Sequence, residues 1–207
     1  METLKLYSIN QTKIFLVANL STKKFHIHIF KIKNFTYDFS DEVKNHLTNV
    51  FPNTFCTESL VNSNILKEAY NPSRNQYYST TLLYKLQAFA KNVKADKFLA
   101  VVDVDLYVPN LNFVFGEAQC PGRFAIISVY RLKQEFYGLT SDKALFISRV
   151  KKEAVHELGH TLGLLHCRKP TCVMFFSNSI LDTDRKQDVF CPECNKKVLK
   201  ILKEMSK

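Results

Sequence analysis

Residues His156–His166 read HELGHTLGLLH, a stretch that holds three of the chain's six histidines and a glutamate directly after the first of them. Residues four apart lie one turn along the same helical face, so His156 and His160 can aim two imidazoles at one metal ion. Glu157 then projects toward the rim of that site. There it can take a proton from bound water without displacing a ligand, as in the H-E-x-x-H signature. A third ligand requires the helix to stop. Gly163 has no Cβ, so it can adopt positive φ, end the helix and swing His166 back to the same metal. Three protein ligands leave a position for water, which separates a catalytic zinc site from a closed structural one. The stretch therefore predicts a zinc peptidase.

The longer pattern H-E-x-x-H-x-x-G-x-x-H is that of the metzincins, which also need a methionine turn beneath the metal. Met174 lies eight residues after His166 and is the only methionine away from the chain ends, so it is the expected Met-turn residue; the plainer alternative is a core gap-filler. Four of the six cysteines, Cys167, Cys172, Cys191 and Cys194, follow in two close pairs. Such pairs are the usual makings of a tetrahedral structural zinc site. Two disulfides would suit a secreted chain, and a redox C-x-x-C would want a thioredoxin-like β-α-β context. The zinc reading implies a second metal that staples the C-terminal segment to the active-site loop and fixes His166 through Cys167.

The run HELGHTLGLLHC, the C-V-M of Cys172 to Met174 and the later CPEC resemble the archaemetzincins, whose mark is a long zinc motif followed at once by a four-cysteine zinc site. The resemblance extends through DVDLYVPNLNFVFGEA (Asp103 to Ala118), AIISVYRL (Ala125 to Leu132) and FSNSILDTDRK (Phe176 to Lys186). It covers roughly the last half of the chain, and residues 1 to about 50 carry none of it. It implies a metzincin-like zincin fold and a small single-domain metalloprotease of narrow activity. By the same resemblance His156, His160 and His166 would bind a catalytic zinc, Glu157 would be the base, and the four cysteines would bind a structural zinc.

Length and composition agree with one compact domain over 1–207 that includes the cysteine element at about 167–194. A chain of 207 residues, 46% hydrophobic, can bury a core, and no Gly/Ser- or Pro-rich linker divides it. The early apolar run Ile14 to Ala18 is too short for a membrane span and no small-residue cleavage site follows it. A cytoplasmic, soluble monomer is expected, so the sequon at Asn10 carries little weight.

The elements read as a mixed α/β arrangement. Phe25 to Ile32 alternates and predicts a strand; Ser40 opens a helix to about Val50; a second strand falls near Thr54 to Leu60. Ser79 and Thr80 should cap a helix reaching about Lys91. Three strand candidates follow, FLAVVDVDLYV, NFVFGEA and RFAIISVYRL, the middle one suited to an antiparallel edge. The active-site helix should run from near Asp142 to near Leu162, and a last helix from about Pro192 to Met205. An edge strand beside the zinc could pair with an extended peptide, or could simply be a covered edge. Phe175, Phe176 and Ser177 should form part of the pocket wall beyond the scissile bond, the two phenylalanines being equally suited to the core. Tyr130 and Tyr137 are explained by packing, and Asp103 and Asp105 as turn or salt-bridge residues.

Charge is the remaining signal. With 29 basic and 19 acidic residues the chain carries +10, and Arg185 to Lys207 alone carries +4. A solvated lysine-rich surface accounts for this without nucleic acid, since no aromatic stacking pattern accompanies it. Cys56 and Cys120 should be buried free thiols, and His26, His28 and His46 surface residues. The leading reading is a peptidase with a peptide or protein substrate and two zinc ions. A zinc-stabilised binding module with a vestigial site and a nucleic-acid-associated zinc protein are the alternatives. Glu157 speaks for the first, because a pure binding site needs no base beside an open metal position.

Overall fold

The computed structural model describes residues 23–32, 35 and 37–206, so the Ile14–Ala18 run and the Asn10 sequon lie outside the described residues. In chain order the elements are β1 (Phe25–Ile32), α1 (Ser40–Val50), β2 (Thr54–Val61), β3 (Tyr70–Asn71), β4 (Gln76–Tyr78), α2 (Ser79–Phe89), β5 (Lys97–Val102), β6 (Leu106–Tyr107), β7 (Gly116–Ala118), β8 (Phe124–Ser128), α3 (Lys143–Thr161), α4 (Ile180–Arg185) and α5 (Pro192–Met205). The main sheet has the order β2-β1-β5-β8-β7. Its first four strands are parallel, and β7 closes one edge antiparallel to β8. This is the mixed α/β sheet with an antiparallel edge that the sequence predicts.

Parallel neighbours need crossover helices, and those helices cover both faces. One core joins Ile27, Ile29, Leu99 and Ile127 to α1, α3 and α5 through Val43, Val150, Ala154 and Val198. The other joins Phe30, Phe98, Ala100 and Ile126 to Leu82, Leu83 and Leu86 of α2. Strands buried on both faces lose the clean alternation of a half-solvated sheet, which is why β5 and β8 read as continuous apolar runs.

Several local expectations need correction. FLAVVDVDLYV is not one strand: β5 ends at Val102, where Asp103 turns out to Lys133 and Asp105 forms a two-pronged pair with Arg131, and the chain resumes as β6 in a separate small sheet with β3 and β4. Ser79 and Thr80 do not cap α2. The N-cap is Tyr78 without a side-chain bond, and both hydroxyls instead donate to the carboxylate of Glu117 on β7. Cys120 is exposed and Cys56 half-buried, its thiol pushed up to about 11 by burial. His28 is buried rather than superficial, sharing Thr57 with His26 and bonding Ser59, and His26 and His46 are half-buried.

Candidate metal centre and cleft

The helix that carries the motif is fixed at both ends. Asp142 caps its start by accepting from Leu145 N at 2.9 Å. At its end the carbonyl of Thr161 accepts from Gly122 N at 3.1 Å and from Lys97 Nζ at 2.8 Å, a cation on the negative pole of the helix. Burial holds the Lys97 amine down at about 8. Gly163 follows with φ +89°, and its N–H returns to His160 O at 2.8 Å. The positive φ read from the sequence is therefore present, and the reversed chain delivers His166.

The three histidines converge. Their ligand atoms lie within 4.8 Å of one another, and the Nε2 atoms of His156 and His160 are 3.1 Å apart. Each helical imidazole has its other nitrogen bound to a carbonyl: His156 Nδ1 to Val173 O at 2.7 Å and His160 Nδ1 to Leu164 O at 2.6 Å. A carbonyl can only accept, so both Nδ1 atoms carry the proton and both Nε2 atoms present lone pairs. Two lone pairs aimed at a shared point fit a cation between them. Burial holds His156 well below the ordinary imidazole range, aided by the Lys186 cation, and lowers His160 and His166 as well, which favours the neutral, ligating form.

Met174 is fully buried beneath this turn of helix. A Cβ on Gly159 would stand 2.5 Å from its sulfur, so that glycine is what lets the Met174 loop approach between His156 and His160. Met174 O also accepts from Cys167 N at 2.9 Å, tying the loop to the residue after His166.

Glu157 is 5% exposed and faces a cavity of about 530 Å³ that it shares with the three histidines, Gly116 and Glu117. Burial raises its carboxyl well above the usual range, with Glu153 adding to the effect and Lys186 opposing it. Phe176 and Ser177 line the cavity as expected, whereas Phe175 does not, and Tyr130 and Tyr137 lie elsewhere, Tyr137 bonding Arg131 O.

Cys167, Cys172, Cys191 and Cys194 bring their sulfurs within 4.8 Å of one another. The Cys167 and Cys191 sulfurs are 3.9 Å apart, near the ~3.8 Å separation of thiolates placed tetrahedrally about 2.3 Å from a zinc ion. Backbone N–H groups of Lys169 and Cys191 point at the sulfurs of Cys167 and Cys172. The donor set fits a zinc ion.

Two features escape the sequence reading. Gly116 sits against Glu157: a Cβ there would meet Glu157 Cγ at 2.6 Å and Ile126 O at 2.7 Å. A glycine inside a strand pattern signals such a close approach. The second is a buried pair, Lys186 Nζ to Glu153 Oε1 at 3.0 Å, joined by Thr183 Oγ1. Lys186 is therefore no part of a solvated basic surface.

Imidazoles converging on one point, a buried glutamate beside them and, among the described residues, a sheet-edge strand lining the same cavity define a metallopeptidase. Residues 11–200 match peptidase family M54, and the chain belongs to that family. The match begins far upstream of the half on which the motif resemblance rests. The archaemetzincin of Methanocaldococcus jannaschii is 46% identical over 162 residues, 78% of this chain and 88% of that protein. The crystal structure of archaemetzincin from Methanopyrus kandleri superposes with a TM-score of 0.79 at 35% identity, covering 91% of this chain and 99% of that one. A zinc-dependent peptidase from Methanocorpusculum labreanum gives 0.75 at 32%, covering 83% and 99%. Among the described residues no helix is long and apolar enough to cross a membrane.

Proposed function

We propose that the chain hydrolyses peptide bonds at a zinc ion held by His156, His160 and His166, with Glu157 as general base, and that Cys167, Cys172, Cys191 and Cys194 hold a second, structural zinc within the same catalytic domain. The observation that carries the reading is the pair of Nε2 lone pairs 3.1 Å apart, each fixed by a carbonyl behind it, with Glu157 beside them in the cleft. Zinc bound there supplies a Lewis acid that acidifies water and polarises the scissile carbonyl. Glu157 takes the proton of the attacking water. It then passes that proton to the leaving amine nitrogen, which completes the transfer with the carboxylate restored.

The substrate's path follows from β7. Its outer side has no strand partner among the described residues. Ser128 N donates to Phe115 O and Gln119 N to Phe124 O, so by the alternation of an antiparallel ladder the polar groups of Gly116 and Ala118 face outward. An extended peptide can add there as a further strand, directly above Glu157.

The test is cleavage of a peptide library read by mass spectrometry, with wild type and Glu157→Ala at matched zinc content. Wild type should cleave and the variant should lose about 10²–10⁴-fold in kcat. Equal rates would remove Glu157 from the role of base.

A further inference from the structure

The cleft differs in charge from the protein around it. The chain carries 29 lysines and arginines, yet among the described residues none lines the cavity, whose acidic lining residues are Glu117, Glu153 and Glu157. These three are not equivalent. Glu153 is neutralised by Lys186, and Glu157 is committed to proton transfer. Glu117 accepts only from the neutral hydroxyls of Ser79 and Thr80 and, among the described residues, forms no ion pair. Two hydroxyls orient a carboxylate without cancelling its charge.

The register of β7 says which part of a peptide would meet that charge. Glu117 pairs with Ile126, whose side chain belongs to the α2 face of the sheet, and Glu117 accordingly reaches Ser79 and Thr80 of α2. Gly116, one residue before it, turns to the opposite face and touches Glu157. A peptide added antiparallel would exchange hydrogen bonds with Gly116 and Ala118. The residue opposite Glu117 would then occupy the narrow, non-hydrogen-bonded pair, where cross-strand side chains approach most closely and on the same face. We infer that Glu117 is a specificity-determining residue that selects a lysine or arginine side chain at the substrate position opposite it, within about two residues of the cleaved bond. This rests on the peptidase reading above and names the substrate class that reading leaves open.

The experiment compares cleavage of a peptide library by wild type and by Glu117→Gln, which keeps an oxygen for one hydroxyl, turns an amide N–H toward the other, and removes the charge. Wild type should favour Lys or Arg at one position near the cut by about fivefold over norleucine, the upper range of a cross-strand ion pair. The preference should fall at higher ionic strength and vanish in Glu117→Gln. A preference that persists in the variant, or no basic preference in wild type, overturns the inference. Loss of cleavage on acetylating the peptide N-terminus would assign the charge to the terminal ammonium and overturn the side-chain assignment. Binding of fluorescent Lys and norleucine peptides to zinc-loaded Glu157→Ala gives the same ratio without turnover. Should wild type cleave nothing, the peptidase reading fails, while an equal affinity for the two peptides would separately dispose of Glu117. The salt dependence in wild type judges the inference even if Glu117→Gln does not fold.

Discussion

At the scale of single residues, the cleft depends on an atom that is absent. Gly116 lets the edge strand lie against Glu157, and a methyl group there would collide both with the flexible carboxylate arm and with the carbonyl of Ile126, which cannot yield without moving β8. Gly116→Ala should therefore push β7 outward and turn Glu157 away from its post. Overpacking of this kind costs about 1–3 kcal/mol. Activity should fall by more than that stability loss explains, because the base and the substrate-pairing strand shift together. Melting curves and kcat/KM on a cleaved library peptide check this, and a variant with wild-type kcat/KM would show that the contact does not position the base. The convergence of the three histidines beside Glu157 and the turn at Gly163 were legible in the sequence because their spacing lies within one helix and turn. Gly116 was not, since its requirement comes from a side chain 41 positions away that only the fold brings near.

At the scale of elements, the helices whose apolar faces and caps are local, α1, α3 and α5, were readable nearly to the residue. What could not be read were the contacts between elements. Ser79 and Thr80 look like caps but serve Glu117 on another strand, and Lys186 looks like surface charge but ends in the core. The Lys186 side chain is 0% exposed and meets Glu153 from α3, so it ties the end of α4 to the active-site helix one turn before Glu157. Removing one partner of such a pair strands the other charge away from water. Lys186→Met should cost about 3–5 kcal/mol, and adding Glu153→Leu should recover much of it, because the burden lies in the unpaired carboxylate rather than in a lost attraction. Denaturant midpoints of the two single variants and the double variant decide the matter; additive losses would mean that the pair does not act as a unit.

At the scale of the whole molecule, the cysteine cluster is where three separate segments meet. Cys167 follows His166, Cys172 precedes the Val173 carbonyl that orients His156, and Cys191 and Cys194 bracket the start of α5, which packs into the same core as α1 and α3. A metal held there would fix the position of His166 and the hydrogen-bond partner of His156, without touching substrate. Cys191→Ser should accordingly lower the bound zinc from two ions per chain toward one and lower the melting temperature, since metal binding at a structural site is folding free energy. Turnover should drop as well, through His166 and Val173 losing their restraint. The decisive measurement is zinc per chain by mass spectrometry beside melting temperature. Two zinc ions with an unchanged melting temperature would mean that the cysteines do not form a metal site, and one ion with full activity would mean that the cluster stabilises α5 but leaves the catalytic histidines to hold themselves.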